Sequence, residues 1–157
     1  MGYRVFDVAW DDADAVALRA EMDAELARRY THLVLQRSVE IRASLTVDAT
    51  DVIATVLVRD PDGVPVGHAA LRRHHDDVEV KRVIVAGERR GQGIGRLLMD
   101  RLETVARDGG ARRVVLHTGN RQPEAVAMYQ RLGYTPIPLY EPYATAMPES
   151  FCFEKVL

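Results

Sequence analysis

The chain has 157 residues, a length that suits one ordinary domain with a sizeable core. Its 47% hydrophobic and 28% charged residues are typical of a soluble globular protein, and a formal net charge of -2 gives no general attraction to nucleic acid or anionic membranes. The single cysteine, Cys152, excludes an intramolecular disulfide framework and a metal cluster built from cysteines alone. We expect one domain over residues 1–157 in the cytoplasm, with no secretory signal and no membrane span.

The first third of the chain predicts one strand and two helices. Tyr3 to Trp10 alternates as a strand does. Carboxylates from Asp11 to Asp14 can cap a helix, whose apolar spacing continues through Val16, Leu18, Met22, Glu25 and Leu26. Tyr30 to Leu45 predicts a second helix with core candidates Leu33, Val34, Val39 and Ile41.

The middle of the chain predicts an antiparallel meander. Ile53 to Arg59 and Pro65 to Arg73 are strands that flank Asp60 to Gly63, a turn in which proline fixes φ and glycine accepts positive φ. A polar turn over residues 74–77 leads into a third strand, Val78 to Val85.

The remaining third alternates helices and strands. Gly93 to Arg107 has an apolar face and predicts a helix that ends at a glycine pair. Arg113 to Thr118 predicts a buried strand, and Pro123 to Leu132 a helix with proline in its first turn. Two last strands, Tyr134 to Tyr140 and Phe151 to Val156, flank a loop with two prolines.

The glycine-rich segment between a strand and a helix, Arg90 to Gly95, is a candidate anion site. Glycines let a backbone approach a ligand closely, and the first amides of the following helix are unpaired. Neighbouring cations, Arg89, Arg90 and Arg96, suit a phosphate or pyrophosphate. A plain tight turn is the alternative. The segment lacks the spacing of a dinucleotide fingerprint, and the chain lacks the Gly-Lys-Ser or Gly-Lys-Thr of a Walker A loop.

Several motifs in order resemble the GNAT superfamily of acetyltransferases, in particular its small bacterial members. Residues Glu79 to Val85 resemble the central strand of that family, and the pattern Arg90-x-x-Gly93-x-Gly95 resembles its cofactor loop. A later helix matches at Ala125, Tyr129, Gly133 and Tyr134, and the ending matches at Cys152 to Lys155. The resemblance covers residues from about 78 to the end and is compatible with the part before that.

The resemblance implies an α+β fold, a strongly twisted mixed sheet of about seven strands flanked by four helices, which opens near its middle to hold acetyl-CoA. The implied cofactor contacts are Val83, Ile84, Val85, Arg90, Gly91, Gln92, Gly93, Ile94, Gly95, Arg96, Ala125 and Tyr129. Many members have asparagine seven residues before the helix tyrosine; here that position is Gln122, with Asn120 a second candidate.

Two residues are candidates for the chemistry. Tyr129 is the candidate acid, because its phenol, with an ordinary pKa of about 10, can protonate a departing thiolate. Glu79 is the candidate base, with a solvated carboxylate paired to Lys81 or Arg82 as the alternative. The backbone amide of Val85 would polarise the thioester carbonyl.

Other conspicuous side chains receive plainer interpretations. The sequence His74 to Asp77 is better explained by a polar turn than by a metal site, so we expect no metal. His117 can contact substrate or serve the structure, and Cys152 is interpreted as a packed thiol. Acceptor-pocket candidates are Tyr140, Tyr143, Trp10 and Tyr30.

The expected function is transfer of acetyl from acetyl-CoA to a primary amine, by direct attack in a ternary complex. A small-molecule acceptor is favoured over a protein because no extended acidic groove is evident in the sequence. A non-catalytic acyl-CoA-binding regulatory module is the alternative. We expect no nucleic-acid or membrane partner, and the resemblance suggests a homodimer.

Overall fold

The computed structural model describes residues 2–29 and 39–157. Its strands are β1 Arg4–Val8, β2 Val52–Arg59, β3 Pro65–His74, β4 Asp77–Val85, β5 Arg113–Thr118, β6 Thr135–Ile137 and β7 Phe151–Val156. The helices of this part of the chain are α1 Ala13–Arg29, α2 39–45, α3 Ile94–Asp108, α4 Pro123–Arg131 and α5 Tyr143–Ala146.

Seven strands form one mixed sheet in the order β1-β2-β3-β4-β5-β7-β6. Strands β2, β3 and β4 make the predicted antiparallel meander, and β1 adds to it by pairing antiparallel with β2. Strand β7 lies between β5 and β6, antiparallel to both. Among the strands of residues 2–29 and 39–157, only β4 and β5 are parallel neighbours, and α3 provides the crossover between them. The predicted mixed sheet of about seven strands is confirmed.

Helices cover both faces of the sheet because its central strands are apolar on both sides. Val56 and Val58 of β2 pack in the large core that contains Leu98 and Leu102 of α3. Leu57, between them in the strand, packs in a second cluster that contains α1 residues. Since successive strand residues point to opposite faces, α1 and α3 lie on opposite sides of the sheet.

The contact between α3 and the sheet depends on a glycine in β3. A Cβ atom at Gly67 would lie 2.6 Å from Cγ2 of Ile94 and 3.3 Å from Cδ1 of Leu98. Any side chain here would displace the first turn of α3, so Gly67 sets the position of that helix end.

Several local predictions need correction. The proline-containing loop before β7 includes a fifth helix, α5, and β6 is shorter than the predicted strand. Val16 and Val39, expected to be apolar contacts, are 48% and 79% exposed, whereas Ala15 is buried. Because Ala15 is buried in place of Val16, the face of α1 that packs on the sheet is offset by one residue from the predicted face. Candidates Tyr30, Leu33 and Val34 lie outside the described residues.

None of the helices within residues 2–29 and 39–157 combines the length and the apolarity needed to cross a bilayer.

Candidate active site

The fourth strand carries one extra residue near its middle. Its register with β3 runs from Lys81 opposite Ala70 to Ile84 opposite His68, so three steps along β4 match two along β3. Arg82 accommodates the difference in a left-handed conformation with φ of 58°. Such a bulge bends the strand and redirects the residues that follow it.

Beyond this bulge, β4 and β5 separate. Their pairing extends only over Val78 to Val80 of β4. The amide of Ala86 donates to the carbonyl of Val66 on β3 at 2.9 Å. Because successive backbone groups of a strand alternate in direction, the amide of Val85 points the other way, toward the side that β5 has left. The gap therefore presents a backbone donor of β4 to a ligand.

The loop after β4 exposes its own backbone amides. Gly91 and Gly93 have φ values of 81° and 84°, and no atom lies within 4 Å of the place where a Cβ would stand. Gly93 is the N-cap of α3, and no side chain there caps the first amides of the helix. The helix start at Ile94 is therefore open, and its unpaired amides and partial positive charge favour an anion.

Two side-chain contacts anchor this loop. Arg89 donates to the carboxylate of the buried Asp60 at 2.9 Å. The hydroxyl of Tyr3 donates to the side-chain oxygen of Gln92. Both partners belong to the N-terminal half of the chain, so the meander holds the loop in place.

Gly95 has a different role from the loop glycines. It is buried, and a Cβ at this position would collide with Sδ of Met128 on α4. The absence of a side chain lets α3 and α4 pack closely, a reason that sequence spacing alone did not indicate.

A cleft of about 380 Å³ opens beside this loop. Helix α1 contributes Met22, Glu25, Leu26 and Arg29, and the end of β4 contributes Val83, Ile84 and Val85. The loop and α3 contribute Arg90, Gly91, Gly93, Ile94, Gly95 and Arg96. Helix α4 and its flanking residues contribute Gln122, Glu124, Ala125, Met128, Tyr129, Arg131 and Leu132.

Most of the predicted cofactor residues thus surround one cleft, with two exceptions. Gln92 is turned to Tyr3, and Asn120 is exposed outside the lining. Gln122 does line the cleft as the N-cap residue of α4, and its side chain makes no capping hydrogen bond. Of the two amide candidates, the geometry therefore favours Gln122.

Charged side chains bridge the cleft from α1. Arg29 pairs with Glu124 of α4 at 2.5 Å, and Glu25 pairs with Arg90 of the glycine loop at 3.3 Å. Glu25 and Arg29 also pair with each other at 3.2 Å. A phosphate that reaches Arg90 must therefore compete with a carboxylate already present.

Tyr129 lies at the cleft with its ring almost entirely buried. The side chain is 5% exposed and packs edge-on against Tyr134, with ring centroids 5.9 Å apart. Burial raises the pKa of its phenol above the ordinary value. The hydroxyl is therefore protonated at neutral pH and able to donate a proton.

Glu79 is neither solvated nor part of the cleft lining. It is 0% exposed, and its two oxygens accept from Arg72 at 2.8 Å and from the Tyr140 hydroxyl at 2.5 Å. Burial alone would raise the pKa of Glu79, but Lys81 and Arg72 hold it below the ordinary value. The alternative of a solvated carboxylate paired with Lys81 or Arg82 is wrong, because its ion-pair partner is Arg72.

Lys81 and Tyr143 complete this buried group. The ammonium of Lys81 donates to the hydroxyl of Tyr143 at 2.7 Å, and burial lowers the pKa of Lys81 to about 8. We call Arg72, Glu79, Lys81, Tyr140 and Tyr143 the charge cluster. His117 stacks on the Tyr143 ring at 3.8 Å between centroids, and its buried Nε2 lacks a hydrogen-bond partner among the described residues.

The remaining conspicuous residues have structural explanations. His75 and Asp76 form the turn between β3 and β4. Within the described residues, no group of three or more His, Cys, Asp or Glu side chains could hold a metal ion. Cys152 is a buried free thiol, as predicted, and burial raises its pKa to about 11. Four residues of α1 that line the cleft were not among the predicted site residues, although they have the spacing of a single helix face: Met22, Glu25, Leu26 and Arg29.

Known proteins share both this sequence and this fold. The chain matches the Acetyltransferase (GNAT) family over residues 9–134. It is 33% identical to the IAA acetyltransferase of Azospirillum brasilense over 71% of this chain and 72% of that protein. A protein described as an acyl-CoA N-acyltransferase from Klebsiella pneumoniae superimposes with a TM-score of 0.80 at 31% identity, covering 99% of this chain and 97% of that one.

A streptothricin acetyltransferase from Bacillus anthracis, solved with acetyl coenzyme A, has a TM-score of 0.60 at 14% identity, over 68% of this chain and 63% of that one. At this identity the likeness concerns the fold alone. The family match and the closely matching relatives place the chain in the GNAT family of acetyltransferases. It is an acetyl-CoA-dependent N-acetyltransferase.

Proposed function

We propose that the protein transfers the acetyl group of acetyl-CoA to a primary amine of a small molecule, by direct attack in a ternary complex. The observation that carries this proposal is the cleft at which a backbone edge, an open helix N-terminus and a buried tyrosine meet. An acetyl-CoA complex of a protein with the same fold supports the cofactor.

The cofactor's parts correspond to the groups along the cleft. The pyrophosphate would accept hydrogen bonds from amides between Gly91 and Arg96, with charge balance from Arg90. The pantetheine arm would pair with the backbone of Val83 and Val85, on the side that β5 leaves open. The side-chain amide of Gln122, which makes no capping hydrogen bond, would add a contact at the start of α4.

The reaction needs one proton removed and one returned. An alkylamine has a pKa of about 10.4, so its attacking form must be the deprotonated base. The amide of Val85 would stabilise the oxyanion that forms on the thioester carbonyl. Tyr129 would then protonate the sulfur as the carbon–sulfur bond breaks, since its raised pKa keeps the phenol protonated.

Glu79 as the base stays a prediction with a specific geometric requirement. Both of its oxygens are occupied and its pKa is lowered, so direct contact with an amine would need Tyr140 to move. The competing route is proton loss to water in the cleft, with Glu79 as a member of the charge cluster only. Under the first route kcat/KM falls at low pH as Glu79 is protonated, and Glu79→Gln removes this acidic limb from the pH profile; under the second route the substitution leaves the profile's shape unchanged.

The first experiment is a thermal-shift series with acetyl-CoA, CoA, NAD and ATP, followed by an amine panel. Acetyl-CoA at a hundred times its Kd should add about 2.7 kcal/mol of stability, and NAD should add none. For Tyr129→Phe we expect unchanged acetyl-CoA binding and a turnover lower by about 10²–10⁴.

Two results would count against the proposal. No shift with either CoA species at millimolar concentration would remove the cofactor assignment. Binding without acetylation of any amine, with Tyr129→Phe indistinguishable from wild type, would favour the regulatory acyl-CoA-binding module.

A further inference from the structure

A buried histidine holds the bulge of the fourth strand. His68 of β3 is 0% exposed and lies opposite Ile84, next to the extra residue of β4. Its Nδ1 lies 2.7 Å from the backbone carbonyl oxygen of Arg82. Its Nε2 lies 2.9 Å from the guanidinium of Arg19. Neither nitrogen faces the cleft, and His68 is not among the cleft-lining residues.

The two partners define the tautomer of the ring. A carbonyl oxygen only accepts hydrogen bonds, so Nδ1 of His68 carries the proton. A guanidinium only donates, so Nε2 is the acceptor toward Arg19. The neutral ring satisfies both contacts, whereas an imidazolium would oppose a donor to a donor.

Arg19 is itself held in a fixed position. The residue is 8% exposed. Its guanidinium donates to the backbone carbonyl of Trp10 at 2.5 Å and stacks 3.6 Å from the centre of the Trp10 ring. Trp10 and Arg19 belong to the N-terminal segment and to α1, so these contacts connect the first helix to the bulge through His68.

The carbonyl oxygen that accepts from His68 lies at the point where the direction of β4 changes. Arg82 has φ of 58°, a conformation that costs a residue with a side chain about 1–2 kcal/mol. A hydrogen bond to its carbonyl opposes rotation of the next peptide plane out of that conformation. The residues that follow, Val83 to Val85, line the cleft directly.

We propose that His68 is a positioning residue for the thioester end of acetyl-CoA, acting through the Arg82 carbonyl and the backbone of Val83 to Val85. The inference rests on the proposed cofactor site. His68 touches neither substrate nor cofactor, and the glycine loop that would bind the pyrophosphate is anchored separately by Asp60 and Tyr3. The two ends of the cofactor should therefore respond differently to a change at His68.

The test compares two ligands by isothermal titration. Acetyl-CoA spans the whole cleft, whereas 3′-phospho-ADP carries the nucleotide and pyrophosphate without pantetheine. We expect His68→Gln to weaken the binding of acetyl-CoA by about tenfold. The side-chain amide of Gln takes the position of Nε2 in the ring, so the Arg82 carbonyl is left unpaired. We expect His68→Asn, whose amide nitrogen takes the place of Nδ1–H, to bind acetyl-CoA within about threefold of wild type. Binding of 3′-phospho-ADP should be unchanged in both.

Matched variants separate this role from a loss of fold. Arg90→Ala should weaken the binding of both ligands. Leu71→Val, a substitution at a buried position on the same strand as His68, should weaken the binding of neither. Equal acetyl-CoA affinities for His68→Gln and His68→Asn would overturn the inference, as would parallel weakening of the two ligands. A wild-type protein that binds neither ligand would instead remove the proposed function.

A measurement on the wild-type protein tests the same geometry without any substitution. Nitrogen-15 NMR of the imidazole should give the Nδ1–H tautomer for His68, with no titration between pH 8 and 5.5. An Nε2–H tautomer would overturn the inference, since that ring cannot donate to the Arg82 carbonyl.

Discussion

The two halves of β4 use their residues in opposite ways. Before the bulge, Glu79 and Lys81 place buried charged side chains in the charge cluster. After the bulge, Val83 to Val85 offer an apolar surface and backbone groups to the cleft. One strand therefore supports a side-chain network at one end and a backbone binding edge at the other.

This difference separates stability from ligand binding. The charge cluster satisfies its groups internally, through contacts such as Arg72 to Glu79 at 2.8 Å and Lys81 to Tyr143 at 2.7 Å. The cleft has the opposite character, because the first amides of α3 lack a side-chain cap. We expect substitutions in the cluster to change the free energy of unfolding, and those at the cleft to change affinity.

The largest effect should come from removing one member of the buried ion pair. Arg72→Leu leaves the fully buried carboxylate of Glu79 without its main partner, which should lower the free energy of unfolding by about 3–5 kcal/mol. Urea unfolding measures this loss, and the Kd for acetyl-CoA should stay within about twofold of wild type.

Two further variants make this result decisive. Arg72→Leu combined with Glu79→Leu should recover much of the loss, since no unpaired charge then stays buried. Arg113→Leu breaks part-exposed pairs with Asp77 and Glu154 and should cost about 1 kcal/mol or less. A loss of acetyl-CoA affinity in Arg72→Leu, equal to its loss of stability, would contradict the separation.

The same contrast explains what could be predicted from the sequence. The glycine loop is local: Gly91 and Gly93 are close in sequence to the helix that follows them, so the sequence could predict an anion site at this loop. The meander of β2, β3 and β4 followed from short turns and apolar runs, whereas the position of β7 between β5 and β6 was not predicted. The charge cluster joins residues as distant as Arg72 and Tyr143, and no local pattern indicates such partners.

The bulge was equally beyond sequence reasoning. Arg82 is an ordinary strand residue in composition, and only the register with β3 reveals that it is the extra one. Gly67 and His68, which position α3 and the bulge, have no motif of their own. Each acts through a partner far along the chain, and tertiary packing alone brings them together.

Acidification should reduce stability through His68. Burial and the nearby Arg19 lower its folded-state pKa to about 4, against about 6.5 for an unfolded chain. Between these values the unfolded state binds the proton more readily, so stability is complete above pH 6.5 and is lost as the pH falls toward 4. At pH 4.5 this loss should be about 2–3 kcal/mol.

The measurement is urea unfolding at pH 7 and pH 4.5 for wild type and His68→Asn. The variant lacks the titrating ring, so its loss on acidification should be smaller by about 2–3 kcal/mol. His117, whose pKa burial also lowers to about 3, contributes equally to both proteins and cancels in the difference. Identical losses in the two proteins would mean that His68 is protonated without cost.

A smaller effect should connect core packing to the cleft. Gly67→Ala places a Cβ against Ile94 Cγ2 and should cost about 1–3 kcal/mol, because the first turn of α3 must shift. The same shift should weaken the binding of 3′-phospho-ADP, because its pyrophosphate would be bound by the N-terminal end of α3. Adding Ile94→Leu removes the Cγ2 methyl group that the new Cβ would contact. The double variant should therefore recover both the free energy of unfolding and the affinity for 3′-phospho-ADP. Recovery of stability without recovery of affinity would contradict the link.

The smallest effect should come from the carboxylate that already occupies the phosphate side of the cleft. Glu25 lies 3.3 Å from Arg90 and is partly exposed, so Glu25→Gln should change the free energy of unfolding by less than about 1 kcal/mol. Acetyl-CoA should nevertheless bind about two- to fivefold more tightly, because its phosphates no longer compete with a like charge for Arg90.

Salt and a matched variant identify the cause of that gain. The advantage of Glu25→Gln should disappear near 1 M salt, where charges are screened beyond about 3 Å. Glu21→Gln, on the same helix but outside the cleft lining, should leave affinity unchanged. Weaker acetyl-CoA binding by Glu25→Gln would mean that Glu25 orients Arg90 for the cofactor instead of competing with it. The cleft would then depend on preformed ion pairs as the charge cluster does, and the contrast between the two halves of β4 would be reduced to one of exposure.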